Sequence, residues 1–180
     1  IRTRQISSRE ATESCLQRLD EVNPIINAVV DILADEALTS ADRADEAVQR
    51  GEDLGCLHGV PITVKINVDF AGRPTTNGVV AFKDLIVDED SIPVSNLRKA
   101  GAIIFGRTNV PGFSTRYFTD NALHGRTLNP WDPKRTPGGS SGGAAAAVVP
   151  DAAPPAAERR RRRRRRRPGA RDHAGESCGG

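Results

Sequence analysis

The 180-residue chain is long enough for one domain with a buried core. Its formal charge of +3 is unevenly spread: residues 150–180 hold ten Arg against four acids, a net +6, which leaves residues 1–149 at −3. The body is therefore mildly acidic, which argues against nucleic acid or an anionic membrane as its partner, and no apolar run approaches the ~18 residues of a membrane span.

The stretch SSREATESCLQRLDEV (7–22) predicts an amphipathic helix. Ser7 and Glu10 have capping-box spacing, and Ala11, Cys15, Leu19 and Val22 form one apolar face. The Asn23–Pro24 pair is expected to end it. A second helix is predicted from about Ile32 to Val48, with Leu33, Ala37, Ala41, Ala44 and Val48 along one side and Gly51 as its stop. GVPITVKI (59–66) is rich in β-branched residues and reads as a buried strand, followed by the turn chemistry of GRPTTNG (72–78). SIPVSNLRKAG (91–101) reads as a helix closed by Gly101, and AIIFGRTN (102–109) as a second buried strand. Residues 111–137 are loop-rich, and GGSSGGAAAAVV (138–149) is a glycine-rich loop feeding a helix. Helix, strand, helix, strand in this order predicts an α/β fold, with N-terminal helices followed by sheet strands covered by helices.

From Pro150 onward there is no Val, Ile, Leu, Phe, Trp or Tyr, so residues 150–180 are expected to form an Arg-rich tail unable to offset the entropy of ordering. The expected division is therefore a body of residues 1–149 and a tail of 150–180. Cys15, Cys56 and Cys178 lie far apart, and His58, His124 and His173 lack metal-ligand spacing. Neither a disulfide framework nor a metal site is expected, and a reducing, cytoplasmic setting fits better. No signal peptide is expected ahead of the first helix. The chain starts at Ile1 and contains no Met, which predicts a fragment of a longer reading frame.

Two groups of residues carry candidate chemistry. Gly138, Gly139, Gly142 and Gly143 around Ser140 and Ser141 permit close backbone approach, and their N–H groups at a helix mouth suit an anion or oxyanion. The loop lacks the Lys of a phosphate-binding loop and the single spaced Ser of a nucleophile elbow. A plain flexible linker is the alternative. Lys65 closes an apolar strand, where it is either a desolvated base or an ordinary solvated lysine. Asn67, two residues on, is placed to orient the Lys65 amine. Asp69 and Asp120 read as solvated loop acids, and His58 and His124 as hydrogen bonders within loops.

Four blocks together, INAVVDILADEAL (26–38), LHGVPITVKINVD (57–69), AGAIIFGRTNVPGFS (100–114) and NPWDPKRTPGGSSGGAAAAV (129–148), resemble the amidase signature family. The resemblance covers residues 1–149. It implies an α/β fold with a large mixed sheet, here truncated, and hydrolysis of amide carbon–nitrogen bonds in small molecules by a Ser–Ser–Lys triad, without cofactor or metal. STRYFTDNALHGRTLNP (114–130) is more similar to general bacterial amidases than to the tRNA-dependent enzyme. The resemblance implies that Lys65 is the base and that Ser140, after a cis Gly139–Ser140 bond, bridges it to a nucleophilic serine. Gly138, Gly139, Ser141, Gly142 and Gly143 are then loop or substrate-contact residues.

The family's nucleophile follows its bridging serine by about 24 positions, in a D-x-G-G-S-[IV]-R-x-P motif. That position is Arg164, inside the run Arg159–Arg167, and Ser177 lacks the flanking pattern, so no nucleophile is identified. A change of reading frame after Val149 in GC-rich DNA is the simplest expectation, and with it an inactive chain of marginal stability whose strands lack partners. The rival reading is non-specific binding of polyanions or nucleic acid through Arg159–Arg167, strong at low salt and without sequence preference. Oligomeric state is not legible.

Overall fold

The structure, a computed structural model, describes residues 1–149. Residues 150–180, including Arg159–Arg167, His173, Ser177 and Cys178, lie outside the described residues.

Helix α1 (Ser8–Ile26) starts at the expected capping box, with Ser7 Oγ accepting from the Glu10 N–H and the Glu10 carboxylate accepting from the Ser7 N–H. These bonds hold the Glu10 carboxyl below its usual range. The helix does not stop at Asn23–Pro24, where the sequence places its end. Proline within a helix forgoes one backbone bond but need not end it, and here one more turn forms before Asn27 caps it in the left-handed conformation. Asn23 instead turns the chain: its Oδ1 accepts from Ala28 and Val29 N–H, and its Nδ2 donates to the Val29 carbonyl.

That turn leads into strand β1 (Val29–Ile32), ahead of helix α2 (Ala34–Arg50), so Ile32, expected to open that helix, closes the strand instead. Helix α2 packs on α1 and buries Ala37, Ala41, Ala44 and Ala47, and Gly51 ends it as expected. Asp45 of α2 accepts from the Ser8 and Arg9 N–H groups at 2.6 and 3.0 Å, joining the middle of one helix to the start of the other. Carboxylate against these unsatisfied amides is the favourable polarity for a helix N-terminus.

Strand β2 (Pro61–Lys65), helix α3 (Ile92–Lys99) and strand β3 (Ile103–Thr108) follow, and helix α4 (Gly142–Ala147) comes last. The sheet order is β1-β3-β2, with β3 antiparallel to β1 and parallel to β2. The expectation that the two predicted strands lack partners is therefore corrected. They pair with each other from Pro61↔Ile103 to Lys65↔Thr108, and β1 takes the other edge of β3.

Successive β3 residues face opposite sides, which places a core on each face. Ile104 joins Leu33, Val64, Phe70 and Val94 on the α3 side, whereas Ile103 and Phe105 meet Ala37, Ala41 and Ala44 of α2. Small alanines allow α2 to lie close on the sheet. A third cluster, Ile26, Ala28 and Ala146, anchors α4 against the end of α1. Among the described residues no helix is long and apolar enough to cross a membrane, and no group of His, Cys, Asp and Glu could hold a metal ion.

Candidate active site

The parallel pairing of β2 with β3 ends at Lys65↔Thr108, so Lys65 stands at the C-terminal edge of the sheet. Its neighbour Ile66 is buried and donates its N–H to the Thr108 carbonyl, which fixes the direction of the strand end. Half-buried Lys65 has its amine pushed below the usual lysine range by desolvation.

Seventy-five residues later, Ser140 meets it. Lys65 Nζ donates to Ser140 Oγ at 3.2 Å. The Gly139–Ser140 peptide bond is cis. Gly138 adopts φ 94°, a conformation that L side chains rarely occupy, and the chain then enters α4. The segment 116–118 lies directly on Gly139, and a Cβ there would come within 2.6 Å of the Phe118 nitrogen. Gly142 and Gly143 are buried under the loop, against Thr119 and against the Asn109 backbone respectively, while Ser141 is exposed. Of the serine–glycine residues singled out in the sequence, Ser140 is the one brought to Lys65.

The other sequence candidates fall into place around this pair. Asn67 does not bond the Lys65 amine; its Oδ1 is buried with no hydrogen-bond partner among the described residues. Asp69 and Asp120 are exposed. His58 Nε2 lies 2.9 Å from the Ala44 carbonyl and His124 Nε2 lies 3.1 Å from Thr76 Oγ1, and burial lowers the His124 imidazole below its ordinary range.

Sequence reasoning passed over a polar net that supports the site from below. Asn109 is fully buried; its Nδ2 donates to the Gly125 carbonyl and Thr127 Oγ1, and its Oδ1 accepts from the Val110 N–H and Asn121 Nδ2. Thr127 in turn donates from Oγ1 to the Asn27 carbonyl and from its N–H to the Thr119 carbonyl. Buried polar groups satisfied in this way hold one backbone arrangement, because each broken bond would leave a partner unpaired. Asn and Thr scattered through a loop show no periodicity, and only the fold reveals them as one network.

These features match known proteins over most of the chain. A sequence profile of the Amidase family matches residues 10–157, running past Val149. The chain is 58% identical over 139 residues to an indoleacetamide hydrolase of Bradyrhizobium diazoefficiens, covering 77% of this chain and 26% of the relative. It is 38% identical over 137 residues to a glutamyl-tRNA(Gln) amidotransferase chain from a Cyanothece strain, covering 76% of this chain and 28% of that one. A bacterial aryl acylamidase of the amidase signature enzymes superposes with a TM-score of 0.78 at 36% identity, over 82% of this chain and 31% of that structure. The chain thus spans about a quarter of the length of these curated relatives. By sequence profile, identity and fold alike, the chain belongs to the amidase signature family.

Proposed function

We propose that this chain carries the base and the proton relay of a site that hydrolyses amide bonds in small molecules. The supporting observation is the 3.2 Å contact between Lys65 Nζ and Ser140 Oγ, made by a half-buried amine whose proton affinity burial has reduced. Lys65 in its neutral form takes the Ser140 proton as Ser140 takes one from the nucleophilic hydroxyl, since a hydroxyl donates and accepts at once. The nucleophile's oxygen adds to the amide carbonyl, the carbon–nitrogen bond breaks with a proton passed to the leaving amine, and water releases the acyl group from the serine. Gly138 and Gly139 give the loop its shape, and Ser141 faces the substrate side.

The nucleophile is not supplied by residues 1–149 in this reading, and Arg164 occupies the place where the spacing requires it. The amidase portion in this reading is residues 1–149, with the family profile running on to residue 157, and the Arg-rich stretch from Arg159 onward takes no part in it. Small amides of the kind named for the Bradyrhizobium relative are the substrate class, given 58% identity across the segment that holds Lys65 and Ser140.

The test is labelling with a serine-directed fluorophosphonate. The chain as given should remain unlabelled. A chimera in which residues 150–180 are replaced by the following segment of the Bradyrhizobium hydrolase should label and hydrolyse amides. Lys65→Ala in the chimera should abolish both. Labelling of the unaltered chain, or a chimera indifferent to Lys65→Ala, would defeat the reading.

A further inference from the structure

Ser140 does not hold itself against Lys65. It follows two glycines, Gly138 and Gly139, which have no side chains with which to anchor the loop. Thr119 grips this loop at two points. Its side chain is buried at 1% exposure, and Oγ1 donates to the Gly138 carbonyl at 3.1 Å, two residues before Ser140. The same side chain fills the space beside Gly142, two residues after Ser140, where any Cβ would collide with Thr119 Oγ1 and lie 2.9 Å from its Cβ. Thr119 is itself fixed from behind, since its carbonyl accepts the Thr127 N–H at 3.0 Å and Thr127 is bonded to Asn109. One buried side chain therefore sets both ends of the Gly138–Gly142 loop relative to the sheet edge that carries Lys65.

We infer that Thr119 is a positioning residue: its buried side chain, through the hydroxyl above all, holds the Gly138–Gly142 loop so that Ser140 Oγ stays within hydrogen-bond reach of Lys65 Nζ. This rests on the proposed roles of Lys65 and Ser140. The hydroxyl ties down Gly138, and without it the Gly138 carbonyl loses its partner and the loop can lift, admitting water to Lys65. The same oxygen and the Thr119 Cβ fill the space beside Gly142. Thr119→Val retains the shape and removes the donor, whereas Thr119→Ser retains the donor and removes the methyl.

The experiment reads the Lys65 amine directly in the full chain, by NMR titration of lysine carrying a 13C label at Cε, with the signal assigned from Lys65→Arg. Wild type should titrate below the ordinary lysine range. Thr119→Val should move the titration upward toward that range, and Thr119→Ser should restore it. Backbone amide spectra report folding alongside. Should Thr119→Val fail to fold, Thr119→Ser still decides: a folded serine variant whose Lys65 no longer titrates as in wild type overturns the inference. A depressed Lys65 titration that Thr119→Val leaves unmoved defeats the Thr119 role alone. An ordinary Lys65 titration in wild type defeats the base assignment and the Thr119 role together.

Discussion

Arg107 of β3, with no exposed surface, is held by Asp31 of β1 at 3.2 Å, so the central strand is joined to its antiparallel neighbour by a buried charge pair as well as by the ladder. The guanidinium also donates to the Ile66 and Val68 carbonyls and lies 5.6 Å from the Phe70 ring centre. Arg73 reaches the other Asp31 oxygen at 3.1 Å, so one carboxylate serves two guanidinium groups. Burial lowers the Arg107 proton affinity and Asp31 opposes that, which leaves the pair dependent on the carboxylate.

Asp31→Asn should therefore destabilise the fold by about 3 kcal/mol, the lower end for breaking a buried pair, because Asp31 retains some exposure. Urea unfolding measures the loss. It should change little between low and high salt, since salt screens buried charge weakly. A loss under about 1 kcal/mol would mean that the Ile66 and Val68 carbonyls suffice to hold Arg107.

Lys65 gives a stability signature of its own. Its amine takes up protons less readily in the folded chain than in the unfolded one, so the unfolded state binds more protons between the depressed folded value and the ordinary value near 10.5. Stability should rise with pH across that window, and below it the penalty is present in full. Lys65→Met should remove this rise and stabilise the protein at neutral pH. Urea midpoints from pH 7 to 10.5 check it, and identical slopes for the two proteins would contradict the depressed amine.

His124 predicts the companion effect at acid pH. Burial favours its neutral form, so as pH falls through its ordinary value near 6.5 the unfolded chain gains a proton that the folded chain resists. Stability should decline from there until His124 itself protonates in the folded state. His124→Gln should flatten this part of the profile, as followed by thermal unfolding between about pH 7 and 5. A variant with wild-type slope would place the acid sensitivity elsewhere.

Gly143→Ala sets two effects against each other. Alanine is favoured over glycine in a helix by up to about 1 kcal/mol, and by less in a first turn such as that holding Gly143. At this position, however, a Cβ would fall 2.5 Å from the Asn109 nitrogen and 2.8 Å from the Ala28 carbonyl oxygen, which are backbone atoms that cannot swing aside. Overpacking costs about 1–3 kcal/mol and should win, giving a net loss measurable by urea unfolding. A more stable alanine variant would show that α4 can back away from the sheet.

Some of this architecture is written plainly in the chain. Ala37, Ala41 and Ala44 at helical spacing announce the α2 face, and β-branched residues before Lys65 announce β2. The serine–glycine loop and the lysine are both visible as motifs, but their contact spans 75 residues and no local pattern reports it. Strand β1 escaped notice because it has four residues and one of them is Asp31, whose charge argues against burial until its partner Arg107 is known. The run past Pro24 escaped for a related reason: a proline marks a lost bond, while the end of the helix is set by Asn27 adopting a left-handed turn. Thr119 and Asn109 carry no signature at all, since their importance lies in partners distant along the chain.

The strand order has a consequence for synthesis. β3 lies between β1 and β2 yet is the last of the three to be made, so neither earlier strand has a neighbour to bond until residue 108 has left the ribosome. The paired helices α1 and α2 can associate on the nascent chain well before that, because their contacts are already complete at residue 50. Ribosome pausing anywhere between residues 66 and 102 would therefore hold two unpaired strands, β1 and β2, beside a finished helical hairpin. That interval is when a chaperone has most to protect.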